Sequence, residues 1–155
     1  MPTTVLLKDI VDALEMQLDE FSSFLDLDTG RIETVSHDLL READESADDP
    51  ESDQPDWQKQ EWEIAKRIVS SDRFLKLPTK FDVHEWAIMQ DFSSSVTSDR
   101  IREDLMNAIH GPGAFRHFKD KLRRHRIESA WFAFRGEALR QIALNWCEEN
   151  HIAWQ

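Results

Sequence analysis

The chain has little cysteine and no long apolar run. Its single cysteine, Cys147, cannot form an internal disulfide bond, which disfavours an oxidised, secreted protein. No apolar run approaches the ~18 residues of a membrane-spanning helix, and Lys8 and Asp9 interrupt any secretory leader at the start of the chain. We therefore expect a cytoplasmic protein without a membrane partner.

The chain also lacks the short motifs of common enzymes. It has no His-Glu-x-x-His helix, paired Cys/His spacing, Walker loop, Gly-x-Ser-x-Gly elbow or glycine-rich dinucleotide fingerprint. His117 and His125 lie too far apart along a helix to share an ion, so we interpret both as exposed side chains. We expect no metal, no cofactor and no catalytic residue. An enzyme with a site assembled from dispersed residues is the third-ranked alternative.

Large apolar side chains are plentiful. Of the 155 residues, 40% are hydrophobic, and six Trp and nine Phe supply large surfaces for burial. A chain of this length typically forms one domain and buries roughly 70% of the surface that its unfolded form exposes. We predict a single domain over residues 1–155.

The charge is unevenly distributed. The formal net charge is −12; residues 1–72 have 20 Asp/Glu against 6 Lys/Arg, whereas residues 73–155 have 11 against 13. The favoured interpretation is that the two halves attract each other, and the alternative is that the basic run faces an external anion.

The most acidic segment is 42–56, which has two prolines and no large apolar side chain. Such a composition predicts a flexible, solvated link. The strict Asp-x-Asp-x-Asp-Gly spacing of a calcium loop is absent, so we do not expect a specific metal site there.

Apolar spacing predicts a mostly helical α+β fold with a small antiparallel hairpin near the N-terminus. The hairpin turns at Asp28-Thr29-Gly30, where Gly30 supplies a positive φ, and Phe74 to Pro78 could add an edge strand. Helices with one apolar face are expected at 5–16 (capped by Thr3 or Thr4), 57–71, 82–92 (capped by Asp82), 98–109, 114–125 and 129–149.

The helix over 114–125 is the main candidate for a binding surface. Its free N–H groups after Gly113, together with Arg116, could hold a phosphate or carboxylate; the alternative is a plain turn whose glycines allow close helix approach. A basic stripe follows the same helix and could bind nucleic acid, but the net charge favours its pairing with acids of residues 1–72. The stripe consists of Arg116, Lys119, Lys121, Arg123, Arg124 and Arg126.

Arg135 is predicted to lie in the apolar face of the last helix, near Trp131 and Leu139. A buried guanidinium needs a partner, so we expect an acidic side chain and an aromatic ring beside it. The alternative is that Arg135 holds a ligand carboxylate or phosphate. The candidate anion-binding residues are Gly113, Arg116, Arg123, Arg124 and Arg135.

Three segments resemble signatures of an uncharacterised family of small acidic bacterial proteins. Residues 111–120 resemble its G-x-G-A-F-R-x-F-K-D signature, residues 131–135 its W-[FY]-x-F-R, and residues 143–146 its A-x-x-W. The resemblance covers most of the chain and implies a shared fold, but it implies no activity.

These observations favour a non-enzymatic protein–protein interaction module, because the many aromatic side chains could serve as contact anchors. The second-ranked interpretation is an anion or nucleic-acid binder that uses the basic helix 113–126.

Overall fold

A computed structural model describes residues 4–45 and 56–155. It confirms a mostly helical α+β fold with a small antiparallel sheet near the N-terminus. The strands are β1 (Thr4–Val5), β2 (Phe21–Asp26), β3 (Ile32–Ser36), β4 (Phe74–Lys76) and β5 (Ala153–Trp154). The helices are α1 (Leu7–Glu15), α2 (His37–Glu45), α3 (Asp56–Ser70), α4 (Lys80–Val83), α5 (Glu85–Ser95), α6 (Asp99–Ile109), α7 (Ala114–Arg124) and α8 (Glu128–Glu149).

Internal contacts divide the chain into two compact units. Unit 1 comprises Met1–Lys80 with Ala143–Gln155, and unit 2 comprises Phe81–Ile142. Compactness does not show that either unit folds alone, so one domain over residues 1–155 stays a prediction.

In unit 1, β2 and β3 form the predicted hairpin. They pair antiparallel from Phe21↔Ser36 to Leu25↔Ile32, and Gly30 has the predicted positive φ, 76°. The short strand β4 pairs antiparallel with the other side of β2, which gives the order β3-β2-β4 and confirms the predicted edge strand.

The helices α2 and α3 pack on this sheet around Val35, Ala43, Trp62 and Ala65. The burial of Ala43 explains why the predicted acidic link does not begin at residue 42: the chain stays helical as far as Glu45, because one face of α2 contacts the core. Residues 46–55 of that predicted link lie outside the described residues, and residue 56 begins α3.

Two predicted helix caps are wrong. Thr4 does not cap α1, because it pairs with Ala153 in the parallel β1–β5 ladder, and the N-cap of α1 is Leu6; Thr3 lies outside the described residues. Asp82 lies within α4 rather than before α5, since His84 separates the two helices with a φ of 54°. Either Ser98 or Asp99 is expected to cap the helix predicted over 98–109, and the structure has Ser98 as the cap: its side chain accepts a hydrogen bond from the N–H of Ile101.

Unit 2 is built around aromatic contacts between helices. Phe92 of α5 contacts the rings of Phe118 and Trp131 at centroid distances of 6.3 and 5.5 Å, and the latter two rings are 4.9 Å apart. The shared apolar helix face of Trp131 and Trp146 predicts that both are buried, and the structure confirms it, with Trp146 in unit 1. The inner face of α7 is therefore fixed against α5 and α8.

The end of α7 is closed by two hydrogen bonds of a Schellman motif. Ile127 N–H donates to the carbonyl of Leu122, and Arg126 N–H donates to that of Arg123, while Arg126 itself has a φ of 57°. His151 ends α8 in the same way, with a φ of 56°. Both left-handed positions hold a bulky residue where glycine is usual.

Candidate functional site

The candidate surface begins at Gly113, the N-cap of α7, which has a φ of 70°. A Cβ added there would lie 3.5 Å from the ring of His117, an ordinary contact, and one added at Gly111 would have no neighbour within 4 Å. The prediction that these glycines allow close helix approach is therefore wrong. Glycine is needed at residue 113 for its backbone angle.

Three cations form a row on the outer side of α7. Arg116, Lys119 and Arg123 fall within an arc of about 60° and span roughly 10 Å along the axis, by helix geometry. All three are exposed; Arg116 and Arg123 lie about 100° or more around the helix from the buried Phe118 and Leu122, and Lys119 lies nearer to that buried side. We call this set the outer row.

The outer row and its neighbours have no acidic partner within unit 2. Among residues 81–142, no carboxylate oxygen lies within 4.0 Å of the side-chain nitrogens of five exposed cations. These are Arg116, Lys119, Arg123, Arg124 and Arg126. Pairing of these cations with acids of residues 1–72, which belong to unit 1, stays a prediction.

Two other cations of the basic helix point inward and are paired. Lys121 Nζ lies 3.0 Å from Oδ1 of Asp104 on α6, and His125 Nε2 lies 2.7 Å from Oδ2 of the same carboxylate. The hydrogen bonds from His125 and then from Lys121 hold the pKa of Asp104 below its usual range, although partial burial opposes them. We call these three residues the inner cluster.

Sequence reasoning missed the inner cluster. The sequence predicts an exposed His125, but its side chain is only 14% accessible. The available signal was the spacing of Lys121 and His125, four residues apart on the side of α7 that borders the buried Leu122. His117, in contrast, is exposed as predicted.

Arg135 is separate from the α7 cations. It lies on α8, and its Nε donates to Oε1 of Glu85 on α5 at 2.6 Å, with Nη2 3.4 Å from Oε2. The predicted acidic partner is thus confirmed, and it uses the two-point geometry that favours Arg over Lys. Of the five candidate anion-binding residues, the structure places Gly113, Arg116, Arg123 and Arg124 on or next to α7, and it engages Arg135 with Glu85.

Large aromatic side chains are also exposed in unit 2. The rings of Phe81, Phe115 and Phe132 are 80%, 52% and 63% accessible. The spacing of Phe115, Phe118 and Leu122 predicts one buried stripe on this helix, but Phe115 occupies the first turn of α7 and stays largely in solvent. Trp86 is partly exposed and holds the α6–α7 turn, since its Nε1–H donates to the carbonyl of Ile109 at 2.9 Å.

A serine–histidine contact lies elsewhere, on the hairpin of unit 1. Ser22 Oγ and His37 Nε2 are 2.6 Å apart at an exposed position. A nucleophile activated in this way also needs a group that orients the histidine. In the described part of the chain, His37 has no carboxylate within salt-bridge distance. This contact therefore gives the enzyme alternative little support.

Cys147 is fully buried near the end of α8. Burial, with a smaller contribution from the charge of Glu148, raises the pKa of its thiol. Within the described ranges, no group of three or more His, Cys, Asp or Glu side chains is placed so that it could hold a metal ion. No helix described in the structure is both long enough and apolar enough to cross a bilayer.

These features define a mostly helical α+β protein with an unpaired basic row on one helix. The chain belongs to UPF0158, an uncharacterised protein family, whose sequence profile matches residues 1–155. It is similar to UPF0158 protein PA5073 of Pseudomonas aeruginosa, with 27% identity over 145 residues that cover 92% of this chain and 82% of that protein. No solved structure matches it. The membership confirms the resemblance seen in the sequence.

Proposed function

We propose that the protein is a non-enzymatic interaction module of the cytoplasm, which binds another protein through exposed side chains of unit 2. The observation that carries this proposal is the outer face of α7, where Phe115 borders cations that have no carboxylate partner within unit 2. The single cysteine, which leaves the chain without an internal disulfide bond, supports the cytoplasm as the compartment.

The residue types of this surface support a protein partner. Aromatic side chains and arginine are enriched in protein interfaces and supply most residues whose truncation weakens binding strongly. Phe115 and Arg116 are adjacent and exposed, and Phe132 lies on the neighbouring helix α8. The row has no carboxylate partner within unit 2, which supports its use by a group outside that unit.

A quantitative pull-down tests the proposal. The tagged protein, its Phe115→Ser/Phe132→Ser variant and a Met16→Ser/Leu18→Ser control are used as baits in nuclease-treated extract of the source cells. Met16 and Leu18 are 79% and 63% accessible and lie in unit 1, so the control removes comparable exposed apolar surface. We expect one protein to be retained by the wild type and the control, and to be lost with the unit 2 variant. Equal retention by all three baits would contradict the proposal.

The second candidate is a nucleic-acid binder, and the row of Arg116, Lys119 and Arg123 is the observation that favours it. A gel-shift titration at about 50 mM salt tests it, because phosphate contacts are strongest at low salt. Micromolar binding that is lost in Arg123→Glu/Arg124→Glu would favour this candidate over a protein partner.

A further inference from the structure

We infer that the partner docks on α7 through an acidic segment that carries an apolar side chain beside its acids. This inference rests on the proposed function and adds the chemistry of the partner. The docking surface consists of the outer row (Arg116, Lys119 and Arg123) together with Phe115.

Charge complementarity is the first argument. Residues 113–126 contain six Lys/Arg and a single acid, Asp120, whereas the whole chain carries a net charge of −12. The inner cluster uses Lys121, so the exposed cations of this helix are those without a carboxylate partner within unit 2. At physiological salt, interactions between exposed charges are screened beyond about 8 Å, so a partner at this surface responds mainly to the local positive charge.

The spacing of the outer row sets the form of the partner. Its three cations are separated by three and four residues of one helix, or about 4.5 and 6 Å along the axis. Acidic side chains at positions i, i+3 and i+7 of a partner helix repeat at the same intervals. An amphipathic acidic helix laid along α7 can therefore meet each cation with one carboxylate.

Phe115 adds an apolar contact at one edge of the row. It lies about 40° from Lys119 around the helix and one turn nearer to the N-terminus. Its ring is 52% accessible, so an apolar side chain of the partner can still bury part of it. This contact depends little on salt, unlike the ionic contacts of the outer row.

Asp120 favours a protein over a nucleic acid. It lies four residues from both Arg116 and Arg124 and is exposed on the same side of α7. A phosphate backbone has a negative charge at every nucleotide, so it cannot avoid this carboxylate. A protein segment can place a neutral or basic side chain opposite Asp120 and keep its acids opposite the row.

The test uses the full-length protein and a fluorescein-labelled helical peptide with Glu at i, i+3 and i+7 and one Leu beside the first Glu. Binding is measured by anisotropy for the wild type and for Arg116→Glu/Lys119→Glu/Arg123→Glu. The matched control is Arg31→Glu/Arg100→Glu/Arg140→Glu, which changes the net charge equally at exposed positions elsewhere.

We expect the outer-row reversal to weaken binding at least about tenfold, the sum of three lost ionic contacts, and the control to weaken it less than about threefold. Phe115→Ser should also weaken binding, and this weakening should persist at high salt because the contact is apolar. Thermal unfolding of each variant tests whether it is folded. If the outer-row Glu variant is not folded, Arg116→Gln/Lys119→Gln/Arg123→Gln replaces it.

Three outcomes would overturn the inference: no binding of the peptide to the wild type, equal weakening in the control, or tighter binding of a single-stranded oligonucleotide of equal charge.

The pull-down described above separates failure of this inference from failure of the proposed function. A partner that is lost with Phe115→Ser/Phe132→Ser but retained by the outer-row variant would refute only the acidic docking. The absence of any retained partner would refute the proposed function itself.

Discussion

The two sides of α7 carry the same kinds of side chain but differ in what those side chains contact. On the inner side, Lys121 and His125 share the carboxylate of Asp104 and fix α7 to α6. On the outer side, Arg116 and Arg123 have no acid of unit 2 within 4.0 Å. The difference teaches that the basic charge of a helix is not one functional unit: the paired part stabilises the fold, and for the part without a carboxylate in unit 2 we propose an external partner.

The largest change in the free energy of unfolding should come from removing apolar contacts on the buried face of α7. Trp131→Ala removes a buried ring that contacts Phe92 and Phe118, so it should lower the free energy of unfolding by about 3–5 kcal/mol. The adjacent Phe132→Ala, in an exposed position, should change it by less than about 0.5 kcal/mol. Urea unfolding measures both, and a stable Trp131→Ala protein would contradict the described packing of α7.

The inner cluster should give the next largest effect. Asp104→Ala leaves Lys121 and His125 without their shared acceptor and should lower the free energy of unfolding by about 1–2 kcal/mol. The control Asp120→Ala, at an exposed carboxylate of the outer side, should change it by less than about 0.5 kcal/mol. If both variants lose the same amount, the distinction between the two sides is wrong.

The inner cluster also predicts a pH dependence with a definite sign. Because the folded state lowers the pKa of Asp104, the unfolded chain binds more protons near its ordinary pKa of about 3.9. The stabilisation is therefore present above that pH and is lost as the pH falls through the lower, folded pKa. Acid unfolding curves of Asp104→Asn should show a weaker loss over this range than those of the wild type. Asp26, whose pKa is also lowered, contributes equally to both proteins.

A smaller change in the free energy of unfolding, in this case an increase, is expected when Arg126 is replaced by glycine. Its left-handed φ of 57° suits glycine, so Arg126→Gly should raise the free energy of unfolding by up to about 1 kcal/mol. The side chain is exposed, so its loss should cost the fold little. The control is Arg126→Ala, which keeps the strained backbone angle. Thermal unfolding is measured for both variants. A destabilised glycine variant would show that the arginine side chain itself supports the end of α7.

Local patterns in the sequence predict the elements of this fold well. The Asp28-Thr29-Gly30 turn predicts the hairpin, and the spacing of Phe118 and Leu122 predicts the buried side of α7. Both signals arise from residues that are neighbours in the chain.

The errors concern pairings between distant segments. Thr4 was assigned to a helix cap because its partner, the strand β5, lies at the other end of the chain. An acidic partner of Arg135 follows from its position among apolar residues, but nothing local identifies Glu85, which lies 50 residues away. The binding role of Arg116 and Arg123 stays a prediction, since exposure alone does not identify what covers a surface.

The central claim, that the outer row does not serve the fold, is tested most directly by the free energy of unfolding of Arg116→Gln/Lys119→Gln/Arg123→Gln in urea. Exposed charges without partners contribute little, and the favourable position of Arg123 near the C-terminus of α7 is offset by the unfavourable one of Arg116 near its N-terminus. We predict a value within about 0.5 kcal/mol of the wild type. A loss as large as that of Asp104→Ala would show that the outer row is structural, and it would contradict the account.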